Sequence, residues 1–113
     1  MDFTETAMQL IAGAGDSRSF SMEAIMYAKT REFEKARKSI QNASRGIKET
    51  HDIQLDLLGA EAGGDPPGVS LLMVHAQDHI SMAILAKDMA QEFLELYENF
   101  ANRGNRNENN SFV

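Results

Sequence analysis

The fold is decided by residues 69–101, VSLLMVHAQDHISMAILAKDMAQEFLELYENFA. Their apolar side chains recur every three or four positions, the spacing that places them along one side of an α-helix. On a helical wheel they form two neighbouring stripes. The first stripe consists of Leu71, Val74, Asp78, Met82, Leu85, Met89, Phe93, Leu96 and Phe100. The second consists of Leu72, Ala76, His79, Ala83, Ala86, Ala90, Leu94, Tyr97 and Ala101. So wide an apolar arc predicts a helix buried on two sides, once in its own bundle and once against other subunits.

Three ionisable residues interrupt this apolar arc. Asp78 lies within the first stripe, His79 lies within the second, and His75 falls between the two. A carboxylate in such a position is unfavourable unless it is paired or bound to a metal ion. His75, Asp78 and His79 are therefore the candidate functional residues.

The composition of the whole chain excludes several classes of function. At 113 residues the chain forms one domain, and without cysteine it has no disulfide, thiolate metal site or cysteine nucleophile. A net charge of −6 without a basic stripe argues against a nucleic-acid partner. The apolar runs are too short for membrane insertion, so the cytoplasm is the expected compartment. No glycine-rich phosphate loop is present, which argues against direct use of ATP.

The residues before position 31 predict an interrupted first helix. Thr4 is expected to cap its start. Glycines and polar residues at 13–19 are expected to kink or break it, and Ser21 is expected to restart it. Such a break is most simply structural. The functional alternative is that it shapes a site in which Arg18 and neighbouring hydroxyl groups lie near a bound phosphate.

A second helix is expected from about Glu32 to about Ala62, before a Gly/Pro turn at residues 63–68 and the third helix. Its expected inner stripe is Phe33, Ala36, Ile40, Ala43, Ile47, Gln54 and Leu58. His51 falls on the same face, and both His51 and Gln54 are expected to be buried groups satisfied by hydrogen bonds. The prediction is an all-α, antiparallel three-helix bundle over residues 1–101, with a disordered polar tail at 102–113.

The segment His75-Ala76-Gln77-Asp78-His79 fits three chemistries. The two histidines are one helical turn apart, as in metal sites, but H-x-x-x-H without a following Glu or a cysteine is a weak metal signal. Acid–base catalysis by His75 needs a pocket, and a small bundle offers few walls for one. A neutral imidazole can also attack phosphorus and carry the phosphoryl group covalently. Residue types and spacing leave all three chemistries open. Two histidines and an aspartate so close together in an apolar arc argue against a purely structural role.

The sequence around these residues resembles a known family. S-L-L-M-V-H-A-Q-D-H at 70–79, A-I-L-A-K-D at 83–88 and E-F-L-E-L-Y at 92–97 are similar to the IIA component of the bacterial phosphoenolpyruvate-dependent sugar phosphotransferase system, in its lactose/cellobiose (N,N'-diacetylchitobiose) family. G-D-S-R-S at 15–19 is similar to the family's G-x-A-R-S, and H-D-I-Q at 51–54 to its H-x-x-Q. The resemblance covers nearly the whole chain apart from the Asn-rich tail.

The chain departs from the family pattern at two places. Thr30-Arg31-Glu32 stands where the family often has Gly-Asp between its first two helices, and Ser17 stands where Ala is usual. Neither departure touches the candidate functional residues, but both bear on the first helix and its connection to the second.

The resemblance implies that His75 is phosphorylated on Nε2. The phosphoryl group would come from the histidine-containing phosphocarrier protein and pass to a cysteine of the IIB component. IIB would then phosphorylate a β-disaccharide of the cellobiose, lactose or diacetylchitobiose type as the membrane-embedded IIC component transports it. The resemblance also implies a homotrimer in which three Asp78 carboxylates meet around a divalent cation, usually Mg²⁺. A hard cation would remove the repulsion between such carboxylates, and His79 is expected to assist His75.

Two other functions are alternatives. One is a histidine phosphotransfer domain of two-component signalling, although Leu-Lys-Gly typically follows its reactive histidine and Ala76-Gln77-Asp78 follows here. The other is a non-catalytic helical oligomer in which Asp78 is a metal staple and the histidines are structural.

Overall fold

The protein is an all-α bundle of three helices, seen in a computed structural model that describes residues 2–66 and 68–110, with side chains as far as Gly104. The helices are α1 (Phe3–Lys29), α2 (Phe33–Ala62) and α3 (Leu71–Asn110). They form a rod with extents of 72 × 20 × 19 Å. Short connections make consecutive helices antiparallel, which confirms the predicted fold class. Within the described residues no helix is long and apolar enough to cross a membrane.

α1 is continuous through residues 13–19, so the predicted interruption is wrong. The small residues there allow α2 to approach closely. The hydroxyl of Ser17, fully buried, donates a hydrogen bond of 2.8 Å to the carbonyl oxygen of Ala43. A Cβ atom on Gly13 would lie only 2.6 Å from Oγ1 of Thr50, and one on Gly46 would lie 3.3 Å from Cβ of Ser17. Helix packing therefore outweighs the weak helix propensity of glycine.

The N-cap of α1 is Asp2 rather than Thr4. The Asp2 carboxylate accepts a hydrogen bond of 3.1 Å from the backbone N–H of Glu5, and the Thr6 hydroxyl donates to the Asp2 carbonyl oxygen. Thr4 is exposed in the first turn. Aspartate caps a helix at least as well as threonine, so the cap lies two residues before the predicted one and the helix begins at Phe3.

The chain reverses between α1 and α2 in three residues. Arg31 adopts a positive φ of 61°, a left-handed conformation that favours glycine. Thr30 donates its hydroxyl to the Glu32 carboxylate, and this hydrogen bond, with Lys35, lowers the pKa of Glu32. Arg31, one of the three residues that depart from the family pattern here, thus has the positive φ of this connection.

α2 has the predicted bounds, but its C-terminal half is rotated relative to the predicted stripe. Leu57 is buried, whereas Leu58 is 55% exposed. His51 is exposed, and the neighbouring residue Thr50 is the one that is buried. The prediction that His51 is a buried group is therefore wrong. The buried line runs through Ala43, Thr50 and Leu57 in steps of seven, which on a straight helix keeps one face toward the partner helices.

The core consists of two apolar clusters. The first lies toward the start of α3 and contains Ala7, Leu10, Ala14, Leu57, Met73, Ala76, Ile80 and Ala83. The second lies toward the α1–α2 connection and contains Ala24, Ala28, Ala36, Ile40, Ala90 and Leu94. Alanine dominates both clusters, so the three helices pack closely and leave little space between them.

α3 begins at Leu71, where the Ser70 hydroxyl oxygen accepts a hydrogen bond of 3.1 Å from the N–H of Met73. It continues as helix to Asn110. The helix thus extends into the region from Asn102 where a disordered tail is predicted, since extending a formed helix fixes only one further residue for each hydrogen bond gained. The disorder of this tail stays a prediction. The remainder of the predicted tail, residues 111–113, lies outside the described residues.

Candidate functional site

His75 lies near the start of α3 and its side chain is exposed. Leu71 and Leu72 lie beside it along an open surface depression. Ser70, which binds the N–H of Met73, fixes the first turn of the helix that carries the ring. Met73 and Ala76 on the opposite side of this turn are buried in the core. The packed face therefore positions His75 on a rigid element while leaving its ring open to solvent and to other proteins.

His75 and His79 contact each other through their ring nitrogens. The two Nε2 atoms are 3.0 Å apart, the ring centroids are 4.4 Å apart, and the rings meet edge to face at 76°. Such a contact requires one ring to present Nε2–H and the other to present the Nε2 lone pair. When His79 is the donor, His75 carries its own proton on Nδ1 and keeps a lone pair on Nε2. The structure thus brings together the two histidines that the sequence singled out.

His79 also lines an open groove between α1 and α3 with a volume of about 620 Å³. Residues of α1 form the rest of its wall: Gly15, Asp16, Arg18, Ser19, Met22, Glu23 and Met26. Arg18 therefore lies on the same groove as His79, although α1 does not break there. Asp16 and Glu23 share the groove, so it carries both signs of charge rather than a purely cationic surface.

Gln77 joins the site helix to α2. The amide nitrogen of Gln54 donates a hydrogen bond of 2.7 Å to Oε1 of Gln77, and both side chains are half-buried. Nε2 of Gln77 lies 3.7 Å from the sulfur of Met73. The predicted hydrogen bonding of Gln54 is thereby observed. His51 is exposed on α2, and within the described residues no hydrogen bond connects it to His75 or His79.

Asp78 is exposed and lies in a row of exposed apolar side chains. Every large apolar residue of the first stripe is at least 37% exposed in the single chain: Leu71, Val74, Met82, Leu85, Met89, Phe93, Leu96 and Phe100. The second stripe, by contrast, faces α1 and α2. The described part of one chain contains no group of three or more acidic, histidine or cysteine side chains able to hold a metal ion. A metal ion at Asp78 would therefore take its remaining ligands from water or from other chains.

Sequence reasoning did not find two features of the site. The Gln54–Gln77 hydrogen bond joins residues 23 positions apart, and no local pattern pairs them. Met22 and Met26 are 52% and 65% exposed beside His79. Their spacing of four residues indicates this arrangement in the sequence, since it places both methionines on one side of α1.

The chain belongs to the family described as "PTS system, Lactose/Cellobiose specific IIA subunit", whose model matches residues 5–98. It is 44% identical over 97 residues to the lichenan-specific phosphotransferase enzyme IIA component of Bacillus subtilis (strain 168), covering 86% of this chain and 88% of that protein. The resemblance found in the sequence is thereby confirmed, and the matched residues include His75, Asp78 and His79.

Solved structures support the same assignment. The crystal structure of the PTS cellobiose-specific enzyme IIA from Bacillus anthracis is similar with a TM-score of 0.86 and 37% identity, over 89% of this chain and 93% of that chain. The solution structures of the IIA(chitobiose)–HPr complex of the N,N'-diacetylchitobiose branch of the Escherichia coli phosphotransferase system are similar with a TM-score of 0.78 and 32% identity, over 89% and 98% of the two chains.

Proposed function

We propose that this protein is a phosphocarrier in sugar uptake that holds a phosphoryl group on Nε2 of His75. One observation carries the proposal: in a chain of the IIA family, an exposed imidazole is hydrogen-bonded through Nε2 to a second imidazole. The proposed donor is HPr, the histidine-containing phosphocarrier protein, and the Escherichia coli IIA(chitobiose)–HPr complex supports this choice. The exposed position of His75 suits a reaction in which two proteins bring their reactive side chains together.

In the proposed transfer the Nε2 lone pair of His75 attacks the phosphorus atom of phosphorylated HPr. A P–N bond to Nε2 forms as the P–N bond to the HPr histidine breaks, and that histidine leaves with the bonding electron pair. His75 must carry its proton on Nδ1 for this step, because only then is the Nε2 lone pair available. The reaction needs no further co-reactant.

His79 is proposed to assist in two ways. Before transfer, its Nε2–H donates to Nε2 of His75 and so selects the tautomer of His75 in which Nε2 carries a lone pair and no proton. As phosphorus bonds to that lone pair, the same N–H can donate to a phosphoryl oxygen instead, which stabilises the added negative charge. The 3.0 Å separation supports both roles, since it places the His79 N–H within hydrogen-bond reach of the nitrogen that would carry the phosphoryl group.

The phosphoryl group is proposed to pass next to a cysteine of the IIB component. A thiolate attacks phosphorus, the P–N bond to His75 breaks, and the imidazole regains its Nε2 lone pair. The sugar is proposed to be a β-disaccharide, as for the relatives named for lichenan, cellobiose and lactose. Because the carrier gives its phosphoryl group to another protein, the proposed location is the cytoplasm.

We also propose that the protein assembles as a homotrimer. The exposed apolar stripe of α3 supports assembly, because water-exposed rows of large apolar side chains mark protein–protein contacts. Three copies of this stripe around one axis would bring three Asp78 carboxylates together. Their repulsion at low dielectric favours a bound divalent cation with oxygen ligands, for which Mg²⁺ is the proposed ion.

The transfer assay uses phosphoenolpyruvate, enzyme I and HPr, followed by a search for protein-bound phosphate that is labile in acid and stable in base. His75→Gln should abolish the label, because the amide has no nucleophilic ring nitrogen. The matched control is His51→Gln, which removes an exposed histidine outside the site and should retain the label. A label that persists in His75→Gln would contradict the assignment of His75.

The same assay separates the alternatives. A non-catalytic metal-stapled oligomer would acquire no label from HPr. A two-component phosphotransfer domain would exchange its phosphoryl group with an aspartate of a response regulator rather than with HPr. Labelling that depends on enzyme I and HPr supports the phosphotransferase role over both alternatives.

A further inference from the structure

The contact between His75 and His79 has the dimensions of a two-nitrogen metal chelate. The residues are four apart on one helix, and their Nε2 atoms are 3.0 Å apart on an accessible surface. Metal–imidazole bonds measure about 2.0–2.1 Å. An ion equidistant from the two nitrogens would therefore subtend an N–metal–N angle of roughly 95°. This angle suits square-planar or tetragonal coordination better than the tetrahedral geometry of zinc.

We infer that His75 and His79 form a binding site for a tetragonal divalent transition-metal ion, Ni²⁺ or Cu²⁺, through their two Nε2 atoms. Imidazole nitrogen suits both ions, and both stand high in the order of affinities of divalent first-row metals. The site differs from the one proposed at Asp78. A carboxylate oxygen suits a hard cation such as Mg²⁺, which has little preference for imidazole.

The proton between the two rings must move when the ion binds. In the observed contact one ring presents Nε2–H and the other presents a lone pair. The donor ring becomes a ligand by shifting its proton to Nδ1 through solvent, so both rings stay neutral and both Nε2 lone pairs become available. In a straight N–H···N contact both Nε2 axes lie along the line between the nitrogens, so each must turn by roughly 40° to point at the ion. The terminal torsion of histidine has broad minima that allow such rotation from the observed 76° arrangement.

The chain supplies two ligands to this ion rather than a closed set. In the described part of the chain no third acidic, histidine or cysteine side chain joins the pair to form a cluster of three. Water would occupy the remaining positions, so the ion exchanges readily instead of becoming a permanent structural component. An exchangeable ion bound to the two Nε2 atoms can compete with other reactions of these nitrogens.

The consequence for phosphoryl transfer rests on the proposed function. The ion and the phosphoryl group use the same lone pair on Nε2 of His75, so they exclude each other. Phosphorylated His75 should not chelate Ni²⁺, and Ni²⁺-loaded protein should not accept a phosphoryl group from HPr. The metal site itself does not depend on that role and can be tested without it.

The binding test is calorimetric titration of the untagged full-length protein with NiCl₂ in buffer containing excess Mg²⁺. We expect one Ni²⁺ per chain. His75→Asn and His79→Asn should each weaken binding roughly tenfold or more, since even the loss of outer-shell partners costs 10–100-fold in metal affinity. His51→Asn is the matched control, because it removes the third histidine, an exposed one on α2, and should bind Ni²⁺ like the unaltered protein.

Electron paramagnetic resonance of the Cu²⁺-loaded protein gives a second readout that does not depend on a variant folding. Hyperfine coupling to two imidazole nitrogens is expected in the unaltered protein, falling to one in His79→Asn. Coupling to fewer than two nitrogens in the unaltered protein would overturn the inference. Equal Ni²⁺ affinity in His79→Asn, or equal loss in His51→Asn, would also overturn it.

The phosphoryl-transfer assay then separates the two proposals. Saturating Ni²⁺ should suppress labelling of His75 from HPr, and prior labelling should abolish Ni²⁺ binding. Absence of labelling without any added Ni²⁺ would refute the phosphocarrier role and leave the metal site standing. Normal labelling combined with no Ni²⁺ binding would refute the metal site and leave the phosphocarrier role standing.

Discussion

Replacing Leu85 by Ala tests whether the exposed stripe of α3 holds the proposed trimer together. Leu85 is 62% exposed in the single chain, so that fraction of its surface is available for burial between subunits. Leu85→Ala removes three carbon groups, each contributing about 0.8 kcal/mol when fully buried. Scaled by the exposed fraction, the loss is about 1.5 kcal/mol per chain and about 4.5 kcal/mol per trimer.

That free energy converts into a measurable change in concentration. A loss of about 4.5 kcal/mol lowers the trimer association constant by a factor of about 1,600. Because a trimer–monomer dissociation constant has units of concentration squared, the concentration of half-dissociation rises by the square root, about 40-fold. Sedimentation velocity across a range of protein concentrations, at constant Mg²⁺, measures this midpoint. Circular dichroism should show little change in helix content, since most of the Leu85 surface does not contact its own chain.

The matched control is Leu58→Ala, which removes the same atoms from a side chain that is 55% exposed on α2. Leu58 lies outside the stripe, so this variant should dissociate at the same concentration as the unaltered protein. If Leu58→Ala shifts the midpoint as far as Leu85→Ala does, the effect is not specific to α3. If Leu85→Ala leaves the midpoint unchanged, the stripe is not the subunit interface.

Four further substitutions follow from the structure, each checked at fixed protein concentration. Gly15→Ala should raise the free energy of unfolding by about 1 kcal/mol in urea denaturation, because nothing lies within 4 Å of the added Cβ. Gly13→Ala should instead lower it by about 1–2 kcal/mol, because overpacking against Thr50 exceeds the gain in propensity. Arg31→Gly should raise it by about 1 kcal/mol, since the backbone is left-handed there. Asp78→Leu should keep or strengthen the oligomer and remove its dependence on divalent cations in sedimentation, because apolar packing replaces a group of carboxylates.

Each of these expectations has an outcome that contradicts it. A Gly13→Ala variant as stable as Gly15→Ala would mean that the close contact with Thr50 relaxes freely. An Arg31→Gly variant no more stable than the unaltered protein would mean that the positive φ carries no strain. Dissociation of Asp78→Leu into monomers would argue against an axial position for Asp78.

The third helix was predictable because its signal is local, and the same local signal singles out the candidate functional residues. The thirty-three residues of 69–101, with a continuous helical period, define which side chains share a face, and Asp78 stands out as a charge inside an apolar stripe. The structure leaves that stripe exposed in one chain and buries the stripe beside it. The pairing of His75 with His79 also follows from a spacing of four residues.

The errors arose where a second helix decides the outcome. The local helix propensities of Gly13 and Ser17 predict a break in α1. In the structure these small residues instead allow α1 to pack against α2. On α2 the choice between Leu57 and Leu58 as the buried leucine depends on the rotation of the helix toward its neighbours. A single helical step of about 100° separates the two positions, and the pattern of this helix alone does not fix the rotation.

The exposure of His75 sets a limit on how long the protein can hold a charged group. No lid or cleft wall in the described residues covers the ring, so a phosphoryl group on it would remain in contact with water. Hydrolysis would then compete continuously with delivery. A phosphorylated form of this kind would suit rapid relay rather than storage, and its steady-state level would follow the supply of phosphorylated HPr.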